Sequence, residues 1–259
     1  MSADYDLYVP GSSLLHRLDP RVKLLLVLET VIWLFLFSHI ATALTALLIT
    51  HVLILGAGIP GRHLRRVWRL MLPLTLLIPI LWWIFQPGVG PAVLTLGPIR
   101  LTWDALLQGT MVALRLDAMA FIMFLWLFTT DQATMVRGLA ALGLPYTWSL
   151  TLSLALRYIP TIAELYQQVV DAQRARGLDL DTGSFWRRLR AHEPILVAVI
   201  ISALRTSQSL AWSMEARGLG APGIRRTQFR QLHFNRLDWL ITATLLILLA
   251  GSLLIYRWG

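Results

Sequence analysis

Residues 171–178 read Asp-Ala-Gln-Arg-Ala-Arg-Gly-Leu, and residues 214–220 read Met-Glu-Ala-Arg-Gly-Leu-Gly. Their shared core, Ala175-Arg176-Gly177-Leu178 and Ala216-Arg217-Gly218-Leu219, recurs 41 residues apart. Each copy closes a long helical pattern. Taken singly, either copy is a helix stop: Arg complements the negative end of the macrodipole, and Gly takes the left-handed turn that ends the helix. Two identical copies in one polar segment suggest more, namely two equivalent plugs for two equivalent sockets. Arg suits a plug because its fork meets carboxylates and backbone carbonyls in a fixed geometry.

Working outward, the 259 residues are 56% hydrophobic and only 14% charged, with mean hydropathy +0.63. A soluble domain carries about a quarter charged residues. The absence of cysteine excludes disulfides, a thiol nucleophile and iron–sulfur ligation. The net charge is +9, and all but one of the 23 basic residues are Arg. That charge is interleaved with long apolar runs, which points to the positive face of a membrane protein and away from nucleic acid. The first 20 residues are polar and hold Pro10, Gly11 and Pro20, so no cleavable leader is expected.

Hydropathy predicts five membrane spans: about Val22–Phe37, Ile40–Ile59, Leu70–Phe85, Trp103–Phe128 and Leu237–Ile255. Asp19 caps the first, with Pro20 in its first turn. Pro60 to Arg69 reads as a basic turn, and residues 86–102 as a loop rich in Pro and Gly. Pro73 and Pro79 are expected to kink the third span. Tyr256-Arg257-Trp258 forms an interfacial anchor after the last.

The chain therefore divides into residues 1–130 (polar lead and four spans), 131–235 (polar and helical) and 236–259 (the last span). The middle segment predicts a short helix over Gln132–Leu142 and two long ones, Tyr146–Arg176, bent at Pro160, and Pro194–Arg217. Both long helices are apolar first and polar later. With a cytoplasmic N-terminus, 20 of the 23 basic residues fall inside, and only Arg100, Arg115 and Arg257 fall outside or within spans. This bias places residues 131–235 on the cytoplasmic face of the membrane, with an even number of crossings and most simply none. The apolar runs 140–159 and 194–204 then lie at the membrane surface or dip into the bilayer, and charge alone does not fix their crossings.

No carrier of enzyme chemistry is visible. A phosphate-binding loop needs Gly-Lys-Ser/Thr, and the one Lys is Lys23. The six His, at 16, 39, 51, 63, 192 and 233, lack the paired spacing of metal ligands. Catalytic, metal and cofactor sites are therefore not expected. Glu29, Arg115 and Asp117 are charges within spans. The favoured reading is that Glu29 and Arg115 pair across helices, ahead of a transport-path role.

Leu15-His16-Arg17-Leu18-Asp19-Pro20-Arg21-Val22-Lys23, Leu114-Arg115 with Thr129-Thr130, Leu142-Gly143-Leu144-Pro145 followed by Ala155-Leu156-Arg157-Tyr158-Ile159-Pro160, and the two Ala-Arg-Gly phrases come in a familiar order. Over roughly residues 12–220 the chain resembles the transmembrane T component of energy-coupling-factor (ECF) transporters, the family that includes the cobalt-permease T subunits. The resemblance implies an all-α integral membrane protein of a prokaryotic plasma membrane: about five spans plus about three amphipathic coupling helices, two of them long and crossed. It implies that the tips Ala175, Arg176, Gly177 and Ala216, Arg217, Gly218 dock two cytoplasmic ABC-type ATPase subunits. It also implies that a small membrane subunit captures a vitamin or metal ion and is toppled when the ATPases close. A conventional ABC-importer permease and a secondary transporter are the alternatives. The duplicated tip speaks against the first, and the lack of pseudo-symmetry and discontinuous spans against the second.

Overall fold

The computed structural model describes residues 7–86, 92–96, 99–180, 182–219 and 232–258. In chain order these form α1 (Leu14–Arg17), α2 (Pro20–Leu36), α3 (Ile40–Gly56), α4 (Gly61–Phe85), β1 (Ala92–Leu96), β2 (Ile99–Thr102), α5 (Trp103–Thr129), α6 (Gln132–Ala141), α7 (Tyr146–Ala175), α8 (Phe185–Ala191), α9 (Glu193–Ala216) and α10 (Arg236–Trp258). Helix starts follow local chemistry. Asp19 accepts from the Arg21 N–H at 2.9 Å, Thr102 from Ala105 at 3.3 Å and Asp131 from Thr134 at 3.1 Å, each satisfying a donor that the helix itself cannot.

Two expectations are corrected. The basic stretch 60–69 is not a turn: apart from Pro60 it forms the first turns of α4, because nothing between Gly61 and Met71 breaks a helix and Arg is a good helix former. The stretch read as a loop contains an antiparallel hairpin, with Thr95 opposite Arg100 and Leu96 opposite Ile99. Two short runs favouring extended backbone flank the Gly97-Pro98 turn signal, and that composition carries them. The other expected helices match to within about three residues, the usual scatter of helix ends, while the short helices α1 and α8 are unexpected. The long helix α7 continues through Pro160.

The described residues fall into two compact units, one of α1–α6, the hairpin and α10, the other of α7–α9. In the first, α5 is central and packs on α2, α3 and α4, while α2 also carries α6 and α10. Phe121, Phe128, Ala118 and Ile122 of α5 are fully buried. A Cβ on Gly109 would lie 2.7 Å from Trp82 Cβ and 2.8 Å from Pro79 Cα, so α4 and α5 touch backbone to backbone there. The outer helices α4 and α10 turn Leu70, Leu74, Leu77, Ile247 and Leu254 outward. Such continuous apolar surface belongs in lipid. The chain is an all-helical membrane protein, the hairpin aside.

By length and apolarity Gly61–Phe85, Trp103–Thr129, Phe185–Ala216 and Arg236–Trp258 can each cross a bilayer. Helices α2 and α3 have 17 residues each, about 25 Å of helix against a hydrocarbon core of about 30 Å. The α8–α9 stretch is the one that charge counting keeps at the surface, and hydropathy alone does not separate it from a span.

In the second unit Val170, Leu180 and Ile195 form a small core joined by Tyr166, Leu178 and Val199. Val170 lies late in α7 and Ile195 early in α9, whereas Tyr158 shares a groove with Arg205, Ser209 and Ser213. The two long helices therefore run in opposite directions and end far apart.

Candidate functional site

The two Ala-Arg-Gly phrases adopt one geometry twice. Arg176 caps α7 at φ −86° and ψ 8°, and Arg217 caps α9 at φ −91° and ψ 13°. Gly177 and Gly218 follow at φ +84° and +80°, where a Cβ would be strained. The Leu178 N–H donates to Gln173 O at 3.0 Å and the Leu219 N–H to Met214 O at 2.9 Å. The Gly177 and Gly218 amides donate to Arg174 O and Glu215 O at 2.9 and 2.8 Å. Both ends are thus Schellman closures, and the helix-stop reading of each phrase holds for the backbone.

The side chains carry the rest. Ala175, Arg176, Gly177, Ala216 and Arg217 are exposed, and Gly218 is half-buried. Among the described residues neither the Arg176 nor the Arg217 guanidinium has a hydrogen-bond or ion-pair partner. Each tip is a fixed turn presenting one unengaged cation, flanked by residues too small to block an approaching surface. Because α7 and α9 are antiparallel, the tips sit at opposite ends of the pair. The 22 residues between Ile195 and Arg217 alone set them roughly 30 Å apart. Along α9, Leu196, Val197, Ile200, Ile201 and Leu204 form an exposed apolar face.

The charges within the spans do not pair as expected. Arg115 Nη2 donates to Ser38 Oγ at 2.7 Å, and its guanidinium lies 5.3 Å from the Phe35 ring centre. Ser38 follows the end of α2, so Arg115 closes that end of the helix instead of meeting Glu29. Glu29 Oε2 is buried with no hydrogen-bond partner among the described residues, beside a cavity of about 310 Å³ lined mainly by Leu26, Trp33, Ile49, Leu53 and Leu248. Asp117, 1% exposed, faces the Thr75 hydroxyl, 2.9 and 3.0 Å from its two oxygens. His51 is a structural bridge: Trp68 Nε1–H donates to its Nε2 at 3.0 Å, which leaves Nδ1–H to donate to Leu47 O at 2.8 Å. No group of three or more metal-ligating side chains exists among the described residues.

Sequence reasoning missed a second cluster. Lys23, 6% exposed, donates through Nζ to Thr129 O at 2.8 Å and to Thr130 Oγ1 at 3.1 Å. Asp238, 1% exposed, accepts from the Asp19 and Asn235 amides at 2.9 and 2.8 Å. A signal was present: one Lys among 22 Arg, at the mouth of an apolar helix.

Comparison with known proteins shows which family the chain falls in. The model of the cobalt transport protein family, CbiQ, matches residues 11–228. The chain belongs to the CbiQ family. It is similar to the energy-coupling factor transporter transmembrane protein EcfT of Bacillus selenitireducens, 32% identical over 252 residues that cover 94% of this chain and 93% of that protein. The EcfT of Heliobacterium modesticaldum is 34% identical over 247 residues, covering 91% and 90%. The EcfT of Bacillus subtilis is 32% identical over 251 residues, covering 94% of each. Membership of the CbiQ family agrees with a membrane component of a transporter.

Proposed function

We propose that this chain is the coupling subunit of an ATP-driven ECF-type importer of a micronutrient, a vitamin or a metal ion. Two cytoplasmic ABC-type ATPases dock on the tips at Ala175-Arg176-Gly177 and Ala216-Arg217-Gly218. Each Arg enters a groove on an ATPase and meets acidic or carbonyl oxygens, while the small neighbours let the backbones close. A separate small membrane protein captures the substrate and rests on the apolar faces of the coupling helices, α7 and α9. ATP hydrolysis belongs to the partners, and this chain conveys their motion. The N-terminus, α6 and the coupling helices lie on the cytoplasmic side, where the basic residues gather.

The observation that carries this reading is the repeated tip: one chain holds two superimposable turns, each with an exposed, unengaged Arg, at opposite ends of an antiparallel pair. A conventional permease subunit needs one such contact. Native mass spectrometry of the complex purified from its own cells tests the point. One copy of this chain with two ATPases and a small membrane protein is expected. Two copies with two ATPases would indicate a conventional permease, and a chain free of ATPases would remove the reading.

A further inference from the structure

The polar lead and the start of α10 meet in a buried node with a consequence for coupling. Lys23 ties the start of α2 to the end of α5, where its charge also complements the negative end of that helix. Asp131 is the cap of α6, through the Thr134 amide at 3.1 Å. Asp238 binds the amide of Asp19, the cap of α2, and the amide of Asn235, which leads into α10. Hydrogen bonds of Lys23 and Asp238 therefore tie the ends of α2, α5 and α10 together, and Asp131, directly after Thr130, caps α6.

The location of this node matters. The helical unit of α7–α9 is continuous with the bundle at 144–145 and at 231–232. From Pro145 the chain runs back through the Leu142–Leu144 turn into α6. That helix presses on the first turn of α2, where a Cβ on Gly138 would lie 3.0 Å from the Pro20 ring. From Leu232 the chain reaches Asn235 and, through Asp238, the Asp19 amide at 2.9 Å. Both lines end on the same turn, Asp19 to Lys23.

We propose that this node is where motion of the coupling helices enters the membrane bundle, with Lys23 and Asp238 as the positioning residues that convert it into movement of α2. The inference rests on the function proposed above. Side chains that merely held the fold together could sit at any helix contact. These sit where both covalent connections arrive.

The test uses the whole complex in lipid nanodiscs. The chain lacks cysteine, so nitroxides at Leu28→Cys on α2 and Leu74→Cys on α4 report one distance. In the wild-type background, exchanging ADP for a non-hydrolysable ATP analogue is expected to shift it by about 1–2 Å or more, the scale of helix shifts in switching proteins. Lys23→Met keeps length and packing but removes both hydrogen bonds. It is expected to abolish the shift while the complex keeps its composition and hydrolyses ATP within about twofold of wild type. Lys23→Arg is expected to restore the shift. A shift that survives in Lys23→Met overturns the inference, as does a loss of hydrolysis and composition together with the shift, which marks a purely structural role. If Lys23→Met is not recovered from membranes, Asp238→Asn, isosteric and still an acceptor through Oδ1, decides by the same two outcomes. A wild-type chain that holds no ATPases would overturn the proposed function and this inference together; a working complex with an unchanged shift overturns this inference alone.

Discussion

Arg176→Ala and Arg217→Ala separate a helix stop from a docking plug. Both side chains are exposed and unengaged among the described residues, so removing either leaves the intramolecular bonding untouched. Exposed substitutions of this kind change stability by about 0.5 kcal/mol or less. The Schellman bonds at each tip are made by backbone and survive the change. If each guanidinium is desolvated in an ATPase groove, truncation costs about 2–4 kcal/mol of docking, roughly 30- to 900-fold in affinity. The tips lie roughly 30 Å apart, far beyond the distance at which substitutions couple directly, so the two losses add. The ATPases act as a pair, so a single variant keeps one good contact and retains partial assembly, whereas the double variant loses both and the benefit of two-point attachment. The assay is retention of ATPase subunits on the detergent-solubilised, immobilised chain across a dilution series, with thermal unfolding in parallel. A double variant that retains its ATPases at wild-type level would refute the reasoning, and the arginines would be helix stops alone.

Other outcomes follow from single contacts. Gly177→Ala places a Cβ at φ +84° with open space around it, so the cost is conformational, about 1–2 kcal/mol, and Gly177→Asn should cost less; thermal melts of the two variants check the order. Gly109→Ala drives a Cβ into Trp82 and the Pro79 backbone and should destabilise the bundle by about 1–3 kcal/mol, read as a lower melting temperature with unaltered tips. A double-mutant cycle between Glu29 and Arg115 should give coupling near zero, while the cycle between Ser38 and Arg115 should give about 1 kcal/mol or more. Trp68→Phe removes the bond to His51 and should cost about 1 kcal/mol, with His51→Ala/Trp68→Phe less than additive.

Much of this was legible in the amino acids because the strongest signals are one-dimensional. Long runs of Leu and Ile set α3, α5 and α10 to within a few residues, and the capping Asp19 and Asp131 mark the starts of α2 and α6. The repeated Ala-Arg-Gly announced its own geometry, since Gly after the last turn demands positive φ and both copies adopt it. The start of α4 was misjudged because its arginines were read as a turn by charge, although Arg is compatible with helix and no breaker follows Pro60. The hairpin was hidden by the weight given to Gly and Pro over the short extended runs beside them. What sequence could not supply is pairing across distance. Glu29 and Arg115 are both charged and both intramembrane, yet Arg115 reaches Ser38 and Glu29 Oε2 has no hydrogen-bond partner among the described residues. Asp238 joins Asp19 across 219 residues, and only the packing of α10 on α2 brings them together.

The central claim is that one chain grips two ATPases, one at each tip. Ala172→Cys and Ser213→Cys lie one turn before Arg176 and Arg217, both exposed, in a chain with no other cysteine. Cross-linking each to the co-purified ATPases, followed by sizing of the product, measures the claim directly. The account predicts that either single variant captures one ATPase and that the double variant yields a product of one chain and two ATPases. Capture at only one of the two positions, or a product holding two copies of this chain, would contradict it.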